Sequence, residues 1–282
     1  MSGAITHRAF QASFQTSWSG NGCVGVFDSG IGGISVLQAI RRSLPQLNLL
    51  YVADTDHAPY GSLRSSDIRQ RARRITEFLF QQGAEAVVLA CNSATAAAIQ
   101  SLRWIYSRPL VGMEPAIKPA LHQTRTGRIG ILATEVTLGS DRFQELLRRW
   151  GDRAQLWPQP CPDLVREVER GDWDGPRMRT LLHSYIDPLL AAGVDTLVLG
   201  CTHYHFLKPL LYQVARPGTT ILEPSYPVAR QLARVLSLEN AFLSSGTAPG
   251  AVHFWTSGDT CFFCKQLERI WGADTPSAKL PV

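Results

Sequence analysis

Two of the six cysteines, Cys91 and Cys201, stand in matching surroundings. Each closes a short apolar run where a helix can begin: Ala86-Val87-Val88-Leu89-Ala90-Cys91-Asn92 in one place, Thr196-Leu197-Val198-Leu199-Gly200-Cys201-Thr202 in the other. Backbone N–H groups at a helix N-terminus favour negative charge, so a thiol there is expected to titrate below its usual ~8.5, toward neutrality. Two thiols on opposite sides of one carbon can invert its configuration. One, as thiolate, removes the hydrogen; the other, still protonated, returns one to the opposite face. A hydrolase would call for a single nucleophile.

Other groups collect around these positions. Phe27-Asp28-Ser29-Gly30-Ile31-Gly32-Gly33 ends a strand in an acid and a hydroxyl, and its glycine turn offers backbone amides to a carboxylate. That spacing matches neither a phosphate-binding loop nor a full dinucleotide fingerprint. Ala58-Pro59-Tyr60-Gly61 reads as a lid or wall with an aromatic hydroxyl. Asn92, Ser93 and Thr202 follow the cysteines and suit both substrate contact and helix capping. His203 can polarise the Cys201 thiol, while His205 reads as structural. The Cys201-Thr202-His203-Tyr204-His205 run lacks the four well-spaced ligands of a zinc site, and no metal is expected. Cys23 and Cys161 read as packing residues. Cys261 and Cys264 form a lone pair two residues apart, weak evidence for metal or redox work.

The elements that position these groups alternate as strand and helix. Strands are expected at Val24–Phe27, Leu49–Ala53, Ala86–Leu89, Leu110–Met113, Arg128–Leu132, Thr196–Leu199 and Thr220–Leu222. Helices are expected near Ile34–Arg42, Ser66–Gln82, Ala94–Trp104, Asp141–Arg149, Arg177–Ala192 and Pro227–Leu236. The pattern predicts an α/β protein with mostly parallel sheets, in which ligands gather beyond the carboxyl ends of the strands. Gly83–Asn92 aligns without gaps on Gly193–Thr202, 110 residues away, and Gly25–Ser29 corresponds more faintly to Gly130–Thr134. Two similar α/β halves with the active site between them follow from this duplication. Chance likeness of buried strands is the plainer alternative.

Bulk properties set limits. With 282 residues, 45% apolar and 18% charged, the chain has ample material for two globular domains. Its apolar runs fall far short of the ~20 residues of a membrane span. The net charge of +5 suits an anionic substrate, and the group Arg64, Arg69, Arg71, Arg73 and Arg74 reads as a solvated helix face. Aromatics are absent between Arg64 and Arg74, so a nucleic-acid partner is not expected. Free cysteines point to a reducing compartment. Residues 1–21 read as a flexible extension, with a transit peptide as the second reading.

The motifs Gly25–Gly30, Pro59-Tyr60-Gly61, Ala90–Ala94, Cys161-Pro162 and Gly200–Tyr204 together resemble glutamate racemases, the two-cysteine branch of the aspartate/glutamate racemase group. The resemblance runs from about Val24 to Gly258. It implies a cytoplasmic enzyme that interconverts L- and D-glutamate without pyridoxal phosphate or metal, supplying D-glutamate for peptidoglycan. By it, Cys91 takes the α-proton of D-glutamate and Cys201 that of L-glutamate; Asp28 assists the first thiol, His203 the second, and Glu169 is a further supporting carboxylate. Substrate contacts would come from Asp28, Ser29, Tyr60, Gly61, Asn92, Ser93, Thr202 and His203. The C-terminal segment would complete the first domain, giving residues 22–116 plus 226–282 and 117–225, and a homodimer is expected. This sequence carries Ser93 where Thr is common, His205-Phe206 for Pro-Leu, and Glu223-Pro224 for an Asp-led turn. Competing readings are a relative acting on aspartate and a binding protein that kept the scaffold.

Overall fold

A computed structural model describes residues 22–238, 248–272 and 275–282. The extension expected over residues 1–21 lies outside the described residues.

The first sheet is built from β1 (Cys23–Asp28), β2 (Asn48–Ala53), β3 (Ala86–Leu89), β4 (Leu110–Gly112), β9 (Val252–Thr256) and β10 (Ser277–Lys279), in the order β10-β9-β2-β1-β3-β4. The second holds β5 (Arg128–Ala133), β6 (Gln155–Pro160), β7 (Thr196–Gly200) and β8 (Thr220–Leu222), in the order β6-β5-β7-β8. Among the described residues every strand pair is parallel. The helices are α1 (Ile34–Ser43), α2 (Ser65–Gln81), α3 (Asn92–Ile105), α4 (Ile117–Gln123), α5 (Glu135–Leu138), α6 (Asp141–Trp150), α7 (Leu164–Glu169), α8 (Pro176–Ala191), α9 (Lys208–Val214), α10 (Ser225–Leu238) and α11 (Thr260–Ile270).

The duplication seen in the sequence is a duplication of topology. β2-β1-β3-β4 repeats as β6-β5-β7-β8, and the registers agree: Val24 faces Ala86 and Gly25 faces Val87, as Ile129 faces Thr196 and Gly130 faces Leu197. Gly25 and Gly130 also share a reason for being glycine. A Cβ on Gly25 would stand 2.9 Å from a methyl of Leu79 on α2, and one on Gly130 2.9 Å from a methyl of Leu189 on α8. In each half a helix therefore presses directly on the central strand.

Helices cover both faces, so the central strands are apolar along their whole length instead of alternating. Alternate residues of β1 serve two cores. Val24 and Val26 pack with α1 and α10, whereas Cys23 and Phe27 pack with α2 and α3. The first of these cores continues without a break into α8, α9 and Leu197 and Leu199 of β7, so one apolar cluster joins the two halves. A third core, around Ile129, Ile131 and Val198, lies under α4 and α6. Among the described residues no helix is long and apolar enough to cross a membrane.

All the strands and helices expected from the sequence are present. β6 was not expected, since Pro158 and Pro160 argue against a strand; it lies at a sheet edge, where a missing N–H costs no ladder bond. The arginine group departs from a solvated face at one member. Arg71 lies on the side of α2 that carries Ile68, Ala72 and Ile75, and it is buried in a two-pronged pair with Asp54, at 2.9 and 2.8 Å.

Candidate active site

Because strands in both sheets are parallel, residues that follow β1, β3, β5 and β7 collect at carboxyl ends. Cys91 leaves β3 and caps α3: its sulfur accepts the Ala94 N–H at 3.4 Å and lies 3.6 Å from the Ser29 hydroxyl. Cys201 leaves β7 at the equivalent register and precedes a 3-10 turn, Thr202–Leu207, with the His203 Nδ1 at 3.7 Å. The cysteines are 5% and 8% exposed.

The two ends are tied by polar contacts. The Thr202 hydroxyl donates to Asp28 at 3.0 Å, and Asp28 also accepts the Gly30 N–H at 3.0 Å. Across from them the Ser93 and Thr134 hydroxyls meet at 2.9 Å. His203 Nε2 approaches Glu169 Oε1 at 2.5 Å, and the same carboxylate accepts the Ile31 N–H at 2.9 Å. Gly30 and Gly32 permit this approach. A Cβ on Gly30 would stand 1.8 Å from Glu169, and one on Gly32 2.7 Å from the His203 backbone. The sequence reading offered the amides of this turn to a substrate carboxylate; two of them are engaged by the chain's own Asp28 and Glu169.

Electrostatics differ between the two thiols. Burial, then the Asp28 carboxylate, push Cys91 up to about 12, against the Ala94 N–H and Ser29, with a smaller upward push from the charge of Cys201. The lowering expected from the helix end is therefore overridden in the closed site, because losing water outweighs one amide dipole. Burial works to discharge His203, yet its bonds to Cys201 and Glu169 prevail and hold its imidazolium well above the usual histidine range. Burial pushes Asp28 upward, opposed by His203, Gly30 and Thr202.

The remaining expected residues fall nearby with different partners. The Tyr60 hydroxyl donates to Asp54 at 2.5 Å, and Tyr60 shares an apolar core with Cys91. Gly61 abuts Thr134, to which an added Cβ would approach within 2.7 Å. Asn92 is 4% exposed and neither atom of its amide has a hydrogen-bond partner. Thr134 was not among the expected site residues, although the Gly25–Ser29 and Gly130–Thr134 correspondence made it the counterpart of Ser29. Among the described residues, no three His, Cys, Asp or Glu side chains group as a metal site.

Known proteins similar to this chain are racemases. The Asp/Glu/Hydantoin racemase family model matches residues 25–225. A glutamate racemase of Pseudomonas aeruginosa is 51% identical over 264 residues, which is 92% of this chain and 97% of that protein. One from Pseudomonas putida is 52% identical over 249 residues, covering 88% and 93%. Among solved structures, a glutamate racemase isoform of Bacillus anthracis superposes with a TM-score of 0.84 at 29% identity, covering 93% and 98% of the chains. The Escherichia coli glutamate racemase, in complex with L-glutamate and the activator UDP-MurNAc-Ala, gives 0.80 at 30% identity, covering 92% and 98%.

Proposed function

The chain belongs to the Asp/Glu/hydantoin racemase family, and we propose that it interconverts L- and D-glutamate by proton transfer between Cys91, Cys201 and the α-carbon. The observation that carries this is the pair of cysteines at register-equivalent strand ends of a duplicated fold, joined in one buried polar cluster. The two are prepared unequally. Cys91, pushed up to about 12, keeps its proton until a carbanion takes it. Cys201 has the His203 imidazolium beside it.

From L-glutamate, the Cys201 thiolate takes the α-proton, leaving a planar carbanion, and Cys91 delivers its own proton to the opposite face. Cys201 then carries the proton and Cys91 the charge, and the reverse sequence converts D-glutamate. Asp28, Ser29, Tyr60, Gly61, Asn92, Ser93, Thr202 and His203 contact the substrate in this reading, and Glu169 holds His203. No metal or organic cofactor takes part. Residues 22–116 with 226–282 form one domain and 117–225 the other, with the substrate between them. The enzyme acts as a homodimer in the cytoplasm and supplies D-glutamate for peptidoglycan.

In deuterium oxide, without added cofactor, each inversion of either glutamate enantiomer should place deuterium on the α-carbon, with aspartate run alongside as the competing substrate. Cys91→Ala and Cys201→Ala should each lose racemisation by at least about 10²–10⁴-fold, the usual worth of a positioned acid or base. Racemisation of both enantiomers persisting in Cys91→Ala would end this reading.

A further inference from the structure

Glu169 is the last residue of α7, so its carbonyl belongs to the last turn, which has no partner within the helix. That carbonyl accepts from Gln266 Nε2 at 2.6 Å. Gln266 is 4% exposed and stands on α11, the helix between two strands of the first sheet, 97 residues away in sequence. One helical turn on, the Arg269 guanidinium donates to the Gly171 carbonyl at 3.1 Å and lies 4.0 Å over the ring of Trp173, which stacks on Phe206 at 4.9 Å. α11 thus grips the backbone turn after α7 at two points, while the Glu169 side chain leaves the other way toward His203 and Ile31. Beside this grip is a cavity of about 440 Å³, lined by Glu169 and Gln266 with Arg166, Arg170, Phe262 and Phe263. On that side the end of α7 borders open space and the two hydrogen bonds from α11 hold it there, while Val168 anchors its other face in the apolar core.

We infer that Gln266 is a positioning residue for the Cys201 half-reaction: it fixes the Glu169 backbone so that the carboxylate meets His203, and His203 meets Cys201. The inference rests on Cys201 being the base toward L-glutamate. It makes one prediction that a merely structural glutamine would not: damage confined to one face of the substrate.

Racemisation uses both thiols, so the test needs a reaction that uses one. With 3-chloroglutamate, a thiolate takes the α-proton, the carbon–carbon double bond forms and chloride leaves with the C–Cl electron pair, so no second acid is needed. The α-L and α-D forms then report Cys201 and Cys91 separately. Gln266→Met keeps the volume and removes the donor. It should lower kcat for the L-configured probe about tenfold, in the range of a sub-ångström misplacement, and leave KM and the D-configured reaction within about twofold. Equal losses on both configurations, a D-selective loss, or no loss would overturn the inference while racemisation by the parent enzyme preserves the proposed function. A parent enzyme that eliminates chloride from neither form would sink both. If Gln266→Met does not fold, Arg269→Met removes the exposed half of the same grip, and the same L-selective loss, smaller in size, is required of it.

Discussion

Burying an amide with neither end hydrogen bonded costs about 1–3 kcal/mol, and Asn92 is in that position one residue after Cys91. On the proposed function the substrate completes its bonds. Asn92→Ala should therefore raise KM for glutamate about tenfold, the worth of one such bond, while the thermal midpoint stays level or rises. A large drop in midpoint with KM unchanged would mark Asn92 as structural instead. The amino-acid string already contained much at this scale. Asp28, Ser29, Asn92, Ser93, Thr202 and His203 announce themselves by standing next to strand ends. What it could not contain is who answers whom: the Ile31 N–H meets a carboxylate 138 residues away, while the Gly30 N–H turns back to Asp28, so neither amide is free. The protonation of Cys91 escaped for the same reason, since the helix end is local and the burial is not.

Periodicity served well for elements because central parallel strands are apolar throughout and their helices amphipathic. It missed β6 with its prolines, β10, only three residues long, β9 inside the first sheet, and the helices α4, α5, α7, α9 and α11. It failed also at Arg71, which composition assigns to solvent. The Arg71 side chain is 10% exposed and Asp54 0%, and Tyr60 shares the same carboxylate, so α2, β2 and the Pro59-Tyr60-Gly61 turn are tied at one point. Removing one member of a buried pair strands the other's charge, at a cost of about 3–5 kcal/mol. Arg71→Ala and Asp54→Asn should each show such a loss in denaturant melts, and together should cost less than the sum. Losses below about 1 kcal/mol, the value of an exposed pair, would return Arg71 to the solvated face.

Across the whole molecule, the two halves share an apolar cluster and also meet through Asp28 with Thr202, Ser93 with Thr134, and Ile31 with Glu169. Both cysteines are under a tenth exposed, so on the proposed function glutamate reaches them in a more open form in which the halves part. Besides these polar contacts, Gln266 and Arg269 of α11 bond the carbonyls of Glu169 and Gly171 across the same seam, and the shared apolar cluster must part as well, so the open form is a minor population. Alkylation with iodoacetamide reads that population. Closed, a Cys91 thiol at about 12 has almost no thiolate at neutral pH; opened, it returns toward the ordinary ~8.5 and reacts. The sign follows from the closed form holding the proton more tightly: its advantage is complete below about pH 8.5 and is lost as pH rises toward 12, so alkali favours opening. Exposed Cys261 should label fast and indifferently to glutamate. Cys91 should label slowly and faster as pH rises, Cys201 slowly, and both should be protected by glutamate in proportion to its occupancy, all separable by peptide mass spectrometry. Labelling of Cys91 as fast as Cys261 at neutral pH, or undiminished by saturating glutamate, would mean that the site stands open and that closure around the substrate is not how these two halves work.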